Sequence, residues 1–272
     1  MSNELFNIKD KVVAITGGCG ILGSAMATAL IKQSAHVALM DLFPELDGQV
    51  KSQLKKGPGQ FEVFKVDVLN RNSLESALKN ILNRFKKIDA LINGAGGNHP
   101  QATTSSEMPF MQIPMEAFQK VLQLNLTGTL LPSQVFADVF IEQGYGNIIN
   151  ISSMNAIRPL TRIPAYSAAK AAVSNFTQWL AVHLAQEYNP NIRVNAIAPG
   201  FFLTKQNRFL LLDEQNQLTE RGKKIIDHTP MGRFGQPEDL FGTMIWLLSD
   251  ASSFVTGTVI PVDGGFAAFS GV

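Results

Sequence analysis

Tyr166 and Lys170 stand four residues apart in Tyr-Ser-Ala-Ala-Lys, and Ser153 lies thirteen positions upstream. A spacing of i, i+4 at the start of a helix puts tyrosine and lysine on one face, where their side chains converge. A phenol with an ordinary pKa of about 10 is a poor base near neutrality. A fixed ammonium beside it favours the phenolate and lowers that value, so the pair makes chemical sense as one acid/base unit. Ser153, at the end of a predicted strand, is placed to hydrogen-bond an oxygen on which charge develops. Taken singly, each residue has a plainer reading: a half-buried helix tyrosine, a surface lysine and a strand-end cap.

A second constellation gives this unit a companion. Thr16-Gly17-Gly18-Cys19-Gly20-Ile21-Leu22-Gly23 directly follows one apolar run and opens a helical one. Gly17 permits a tight turn, Gly20 lets the backbone approach a pyrophosphate, and Gly23 allows close packing of helix on sheet. The unpaired amides at the helix start, from Ile21 and Leu22, suit an anion. Asp41 ends the next predicted strand, eighteen residues after Gly23, where a carboxylate accepts both ribose hydroxyls of an adenosine. It would repel a 2′-phosphate, and neither Cys19 nor Leu42 supplies a positive charge to offset it. The expected cofactor is therefore NAD rather than NADP, and the two constellations together predict a nicotinamide-dependent oxidoreductase.

The elements that must position these groups follow from the hydrophobic pattern. Short β-branched runs at 12–15, 36–40, 61–66, 90–92, 147–151, 193–197 and 259–262 predict seven buried strands. Helical periods lie between them at 22–33, 73–85, 115–143, 165–188 and 237–248. This alternation predicts an α/β fold, a Rossmann-type doubly wound sheet of seven parallel strands flanked by helices. No repeat, low-complexity tract or linker divides residues 1–272, so a single nucleotide-binding domain is expected. Two stretches, 96–114 and 201–236, carry no clear period. Both follow strands and belong at the carboxyl edge of the sheet, where ligands bind. The second is expected to close over the ligand as a lid.

Composition narrows the class. The protein has 272 residues, 45% apolar and 17% charged, with a formal charge of +1. That balance speaks against nucleic acid, whose binders usually carry a basic excess. A lone cysteine, Cys19, excludes an intrachain disulfide. Residues 1–11 lack a cationic stretch followed by an apolar one, and no run nears the roughly 18 apolar residues of a membrane span. A cytoplasmic protein with no membrane partner is expected. The histidines, His36, His99, His183 and His228, show no ligand spacing, so no metal is expected.

On these residues the sequence resembles the classical short-chain dehydrogenase/reductase family, from about Asp10 to the C-terminus. The resemblance implies a catalytic set of Asn125 in Leu-Asn-Leu, Ser153, Tyr166 and Lys170. Tyr166 would be the acid/base, Lys170 would bind the nicotinamide ribose and lower the tyrosine pKa, and Asn125 would hold a water of the proton relay. It also implies cofactor contacts at Asp67 and Val68 for the adenine, Asn93, Gly94 and Ala95 behind the sheet, Pro199 and Gly200 beside the nicotinamide, and Thr204 at the carboxamide. One departure is visible, since the family's usual spacing puts glycine where Ile21 stands and here the glycine is Gly20. Family members are commonly tetramers, and the helices at 115–143 and 165–188 are candidate interfaces for a homotetramer or a dimer.

Substrate contacts are expected from the segments that vary most. Asn98, His99, Asn155 and Asn207 can hydrogen-bond hydroxyls, Ser153 the reacting oxygen, and Arg158 a carboxylate in bidentate fashion. Stretches 147–176 and 195–208 are similar to the family's branch of D-mannonate oxidoreductases, also called fructuronate reductases. That similarity implies reversible NAD-linked oxidation of a small sugar acid at C5. Other sugar-acid or polyol dehydrogenases, acting for example on gluconate or 2-dehydro-3-deoxygluconate, fit the same groups. A dinucleotide-binding regulator fits the cradle, but has no need of the acid/base set.

Overall fold

Alternation within the first strand sets the architecture. In a computed structural model, which describes residues 2–203 and 208–271, Val12 and Ala14 pack into one hydrophobic core and Val13 and Ile15 into another. A strand buried on both faces needs helices on both, as parallel sheets require. The strands are β1 (Val12–Thr16), β2 (His36–Asp41), β3 (Phe61–Lys65), β4 (Ala90–Asn93), β5 (Gly146–Ile151), β6 (Ile192–Pro199) and β7 (Val259–Val262). They form one parallel sheet in the order β3-β2-β1-β4-β5-β6-β7. The order reverses between β1 and β4, which opens a crevice at their carboxyl ends.

The helices are α1 (Ser2–Leu5), α2 (Ile21–Lys32), α3 (Gly48–Lys56), α4 (Arg71–Phe85), α5 (Met115–Leu122), α6 (Gly128–Gln143), α7 (Pro164–Glu187), α8 (Arg208–Leu211), α9 (Glu220–Asp227) and α10 (Phe241–Leu248). Met26 and Leu30 of α2, Leu54 of α3 and Met244 and Leu247 of α10 cover one face. Leu74, Leu78 and Ile81 of α4, Phe136 and Phe140 of α6 and Leu180 and Leu184 of α7 cover the other.

Three sequence expectations are corrected. The helix expected over 115–143 is two helices joined by a π-helical turn, Gln123–Thr127. The side chain of Asn125 donates to the Val121 carbonyl at 2.8 Å, taking a helix acceptor that a backbone amide would otherwise use. Pro132 then removes a further amide inside α6, and Thr129 and Ser133 bond back to the carbonyls four residues earlier. The helix expected at 237–248 begins as a 3-10 turn, Pro237–Leu240, before α10. The stretch at 201–236 is not without period, for it holds α8 and α9, whose Leu211 and Ile225 are buried. Among the described residues no helix is long and apolar enough to cross a membrane.

Candidate active site

The crevice at the switch point is closed by short contacts between β1 and β4. Thr16 Oγ1 accepts from Gly94 N and Ala95 N, both at 3.1 Å, a tie that only the paired strands reveal. Gly17 has φ of 64°, and a Cβ there would stand 2.9 Å from Ala95 Cα. A Cβ on Gly23 would collide with the Gly17 carbonyl, whereas one on Gly20 would meet only that oxygen, at 3.3 Å. The cradle is thus closed by Gly17 and Gly23, and Ile21 in the place of a glycine simply opens α2. Gly23→Ala is expected to cost about 2 kcal/mol or more, as overpacking against backbone does. Gly20→Ala should cost less than about 1 kcal/mol; equal midpoint losses for the two in urea would refute this reading of the cradle.

Helix α2 starts with no side-chain cap, which leaves the first amides, including those of Ile21 and Leu22, open to an anion. Asp41 lies at the crevice mouth, with Oδ2 accepting from Cys19 N and Oδ1 from Phe43 N, each at 3.0 Å. Burial, and then the Asp41 charge, push the Cys19 thiol up to about 11. Asp67 Oδ1 caps Leu69 N at 2.9 Å, and Val68 beside it is buried. Gly200 N donates to Val262 O at 3.0 Å, which holds Pro199 and Gly200 at the joined ends of β6 and β7. An uncapped helix, a cradle that side chains would fill and a carboxylate acceptor at its mouth fit a dinucleotide's pyrophosphate and ribose. Asn93 is placed differently. Its amide donates to Ser133 Oγ at 2.9 Å and to Asn150 Oδ1 at 2.8 Å, a buried tie that Asn150 extends to Thr177 Oγ1.

Tyr166, Lys170, Ser153 and Asn125 converge where β5 meets α7. Lys170 Nζ sits 5.6 Å from the centre of the Tyr166 ring and donates to Ile151 O at 2.8 Å. Ser153 Oγ accepts from Asn155 N at 3.2 Å, and the Ser153 side chain hydrogen-bonds Tyr166. Asn125, fully buried, accepts from Gly97 N at 3.2 Å and donates to Gly97 O at 2.7 Å. A Cβ on Gly96 would lie 2.6 Å from Asn125 Oδ1 and 3.3 Å from Lys170 Nζ, so glycine there is what lets the two approach. Burial pushes the Tyr166 phenol up, and the Ser153 hydrogen bond pulls it down. Burial also pushes the Lys170 ammonium down to about 8. The lowered tyrosine expected from the sequence is therefore not a property of the protein alone, because desolvation outweighs the Ser153 hydrogen bond.

The expected substrate contacts divide. Asn155 is buried two residues after Ser153, and its Oδ1 has no hydrogen-bond partner. Asn98 Nδ2 donates to Thr103 Oγ1 at 2.8 Å, and His99 Nδ1 accepts from Gln101 N at 3.2 Å, so both brace their own loop. Arg158 Nε donates to Ala267 O at 3.1 Å and ties the loop after β5 to the C-terminal tail. That tail turns back because Asp263 accepts from Gly265 N at 2.9 Å and Ala267 N at 2.8 Å. Phe266 then joins Met154, Leu211 and Ile225 in one apolar cluster, a role no local signal announced. Thr204 and Asn207 lie outside the described residues. A cavity of about 350 Å³ opens beside Phe201, Met231, Asp263 and Gly264, and none of the four converging residues lines it.

Residues 20–267 match a short-chain dehydrogenase family described as enoyl-(acyl carrier protein) reductase. UxuB of Bacillus subtilis, an uncharacterized oxidoreductase, is 47% identical over 275 residues, covering 98% of each chain. A solved structure from Haemophilus influenza, provisionally named a D-mannonate oxidoreductase and carrying bound NAD, superposes with a TM-score of 0.91 at 45% identity, covering 98% of both chains. The 2-dehydro-3-deoxy-D-gluconate 5-dehydrogenase of Dickeya dadantii is 34% identical over 268 residues, 97% of this chain and 98% of that one.

Proposed function

The chain belongs to the short-chain dehydrogenase/reductase family, and from that premise we propose that it is an NAD-dependent oxidoreductase interconverting D-mannonate and D-fructuronate at C5. The observation that carries the reading is Tyr166 hydrogen-bonded to Ser153, with Lys170 Nζ 5.6 Å from its ring centre, at the carboxyl edge of the sheet that also holds the cradle. The Haemophilus neighbour's provisional name and bound NAD support the substrate and the cofactor. Bound in the cradle, NAD accepts or supplies the hydride. In oxidation Tyr166 takes the hydroxyl proton, and in reduction it returns that proton to the oxygen. Ser153 donates to the same oxygen as charge develops there. Asn125 holds Gly97 and the π turn in place, and Lys170 carries the proton route away from the phenol. The segment at 201–236 covers the ligand as a lid.

The test is the initial rate of NADH oxidation with D-fructuronate, 5-keto-D-gluconate and 2,5-diketo-3-deoxygluconate, with NADPH as the control cofactor. Preference for fructuronate with NADH supports the reading. Preference for another keto acid moves the protein to the second reading, another C5 sugar-acid dehydrogenase, which the Dickeya relative favours. No turnover with any of them favours a dinucleotide-binding regulator.

A pH profile checks the acid/base. Since burial raises the phenol, the neutral form dominates near pH 7. Oxidation needs the phenolate, so its kcat/KM should climb from about pH 7 to beyond about pH 10, whereas that of reduction should stay level to about pH 10 and fall only above it. Lys170, at about 8, loses its charge within this window, which makes the climb shallower than tenfold per pH unit. Profiles of opposite sign would remove Tyr166 from the role. We also propose a cytoplasmic homotetramer, with the exposed Trp179, Val182 and Tyr188 at one end of α7 as an interface, which a sedimentation mass decides.

A further inference from the structure

The protein has eight arginines. Six have partners. Arg71 pairs with Glu75, Arg84 with Glu62 and Arg233 with Asp239, while Arg158 and Arg193 donate to backbone carbonyls and Arg208 to Asn216. Among the described residues the side chains of Arg162 and Arg221 have neither an ion pair nor a hydrogen bond. These two come from the two segments that flank the acid/base centre.

Arg162 stands four residues before Tyr166 in the loop that leads into α7. Its φ is 75°, a left-handed conformation that a residue with a Cβ adopts at a cost and that clusters at functional sites. The strain is held in place by Thr104 N, which donates to the Arg162 carbonyl at 2.8 Å. Arg221 lies in the first turn of α9, one turn before Ile225, so the two share a helix face. Ile225 packs in the cluster that contains Met154, the neighbour of Ser153, and this turns the Arg221 face toward the site. Burial pushes the Arg221 guanidinium down, and the Arg162 charge pushes it the same way. A partly sheltered cation, Arg221, that feels the charge of the exposed Arg162, with no acidic side chain paired to either among the described residues, is an arrangement that an anion would relieve.

We propose that Arg162 and Arg221 together bind the carboxylate of the sugar acid, one from the loop before the catalytic helix and one from α9. This rests on the sugar-acid reading above, and it names the group that selects an acid over a polyol. Planar guanidinium groups match a carboxylate in fork geometry, so two of them also fix its orientation relative to Tyr166. Arg158, the candidate that the sequence suggested, is held away by Ala267. Arg233 in the neighbouring cavity is locked to Asp239 by contacts of 2.6 and 2.8 Å.

The experiment uses the NADH-loaded protein and measures the shift of its melting temperature with D-mannonate and with D-mannitol, the uncharged polyol with the same number of carbons. The unsubstituted protein is expected to be stabilised by mannonate and not by mannitol. Arg162→Gln, Arg221→Gln and the double variant should lose that shift. Their KM for the keto acid should rise by about tenfold or more per charge removed, with kcat changed less and the Kd of NADH unchanged. Arg221→Lys, which keeps the charge and loses the fork, should fall between. Arg158→Gln should behave as the parent. Melting temperatures without sugar report whether each variant folds. A mannonate shift that survives in the double variant would overturn the clamp and leave the sugar-acid reading standing. No shift with any sugar acid in the parent protein would bring down that reading and the clamp with it.

Discussion

Tyr166→Phe is expected to lower kcat by about a thousandfold while the Kd of NADH changes less than about twofold. The phenylalanine keeps the ring that packs against Ala102, Ala117, Val121 and Ala165, so the fold should lose no more than about 1 kcal/mol. What disappears is the hydroxyl that hydrogen-bonds Ser153 and belongs to a ring with an ammonium 5.6 Å from its centre. Single-turnover rates separate this loss from product release, and calorimetry with NADH shows whether the cradle is intact. A variant that kept about a tenth of parental turnover would show that the proton passes elsewhere. Ser153→Ala is the natural companion, because it removes the hydrogen bond that lowers the phenol. It should shift the oxidation profile to higher pH and leave the reduction arm flat over a longer range.

Asp41→Asn should collapse the discrimination between NADH and NADPH, which in the parent is expected to reach roughly a hundredfold in kcat/KM. The carboxylate accepts from Cys19 N and Phe43 N at 3.0 Å, so an alanine would also loosen the turn that carries these amides. Asparagine retains the size and one acceptor oxygen, and removes only the charge that repels a 2′-phosphate. A second readout comes from Cys19, whose thiol is pushed up to about 11 by burial and then by Asp41. Removing the charge lowers that value and should speed alkylation by iodoacetamide near neutral pH, whichever cofactor is preferred. Full NADH preference in Asp41→Asn, together with faster alkylation, would mean that discrimination lies outside this carboxylate.

Seven strands, most of the helices between them and the glycine turn were legible because each is written in local periods and spacings, whereas the polar α3 between β2 and β3, with Leu54 its one buried residue, was not expected. Alternating burial of Val12 to Ile15, glycines at 17 and 23, and a tyrosine four residues before a lysine all act over distances that one turn or one strand spans. The break in the helix at 115–143 was half legible. Pro132 is a known helix disruptor, but the π turn arises because Asn125 reaches both Val121 and Gly97 on a different segment. The stretch at 201–236 hid α8 and α9, which owe their stability to Leu211 and Ile225 buried against Met154 and Phe266 rather than to a strong pattern of their own.

By itself, then, the sequence determined the family and the sheet, and supplied the residue types and spacings at Tyr166, Lys170, Ser153 and Asp41 on which the proposed chemistry rests. Only the tertiary structure decided which polar groups are free to meet a substrate. Asn98 and His99 are drawn into their own loop, and Arg158 is held by a carbonyl 109 residues away. Arg162 and Arg221, 59 positions apart by their numbers, are brought close enough for the charge of one to act on the other, with no partner for either side chain among the described residues. The physical reason is that residue type and spacing set what a side chain can do, whereas its hydrogen-bonding capacity is finite and is used up first by whichever distant segment the fold brings within reach.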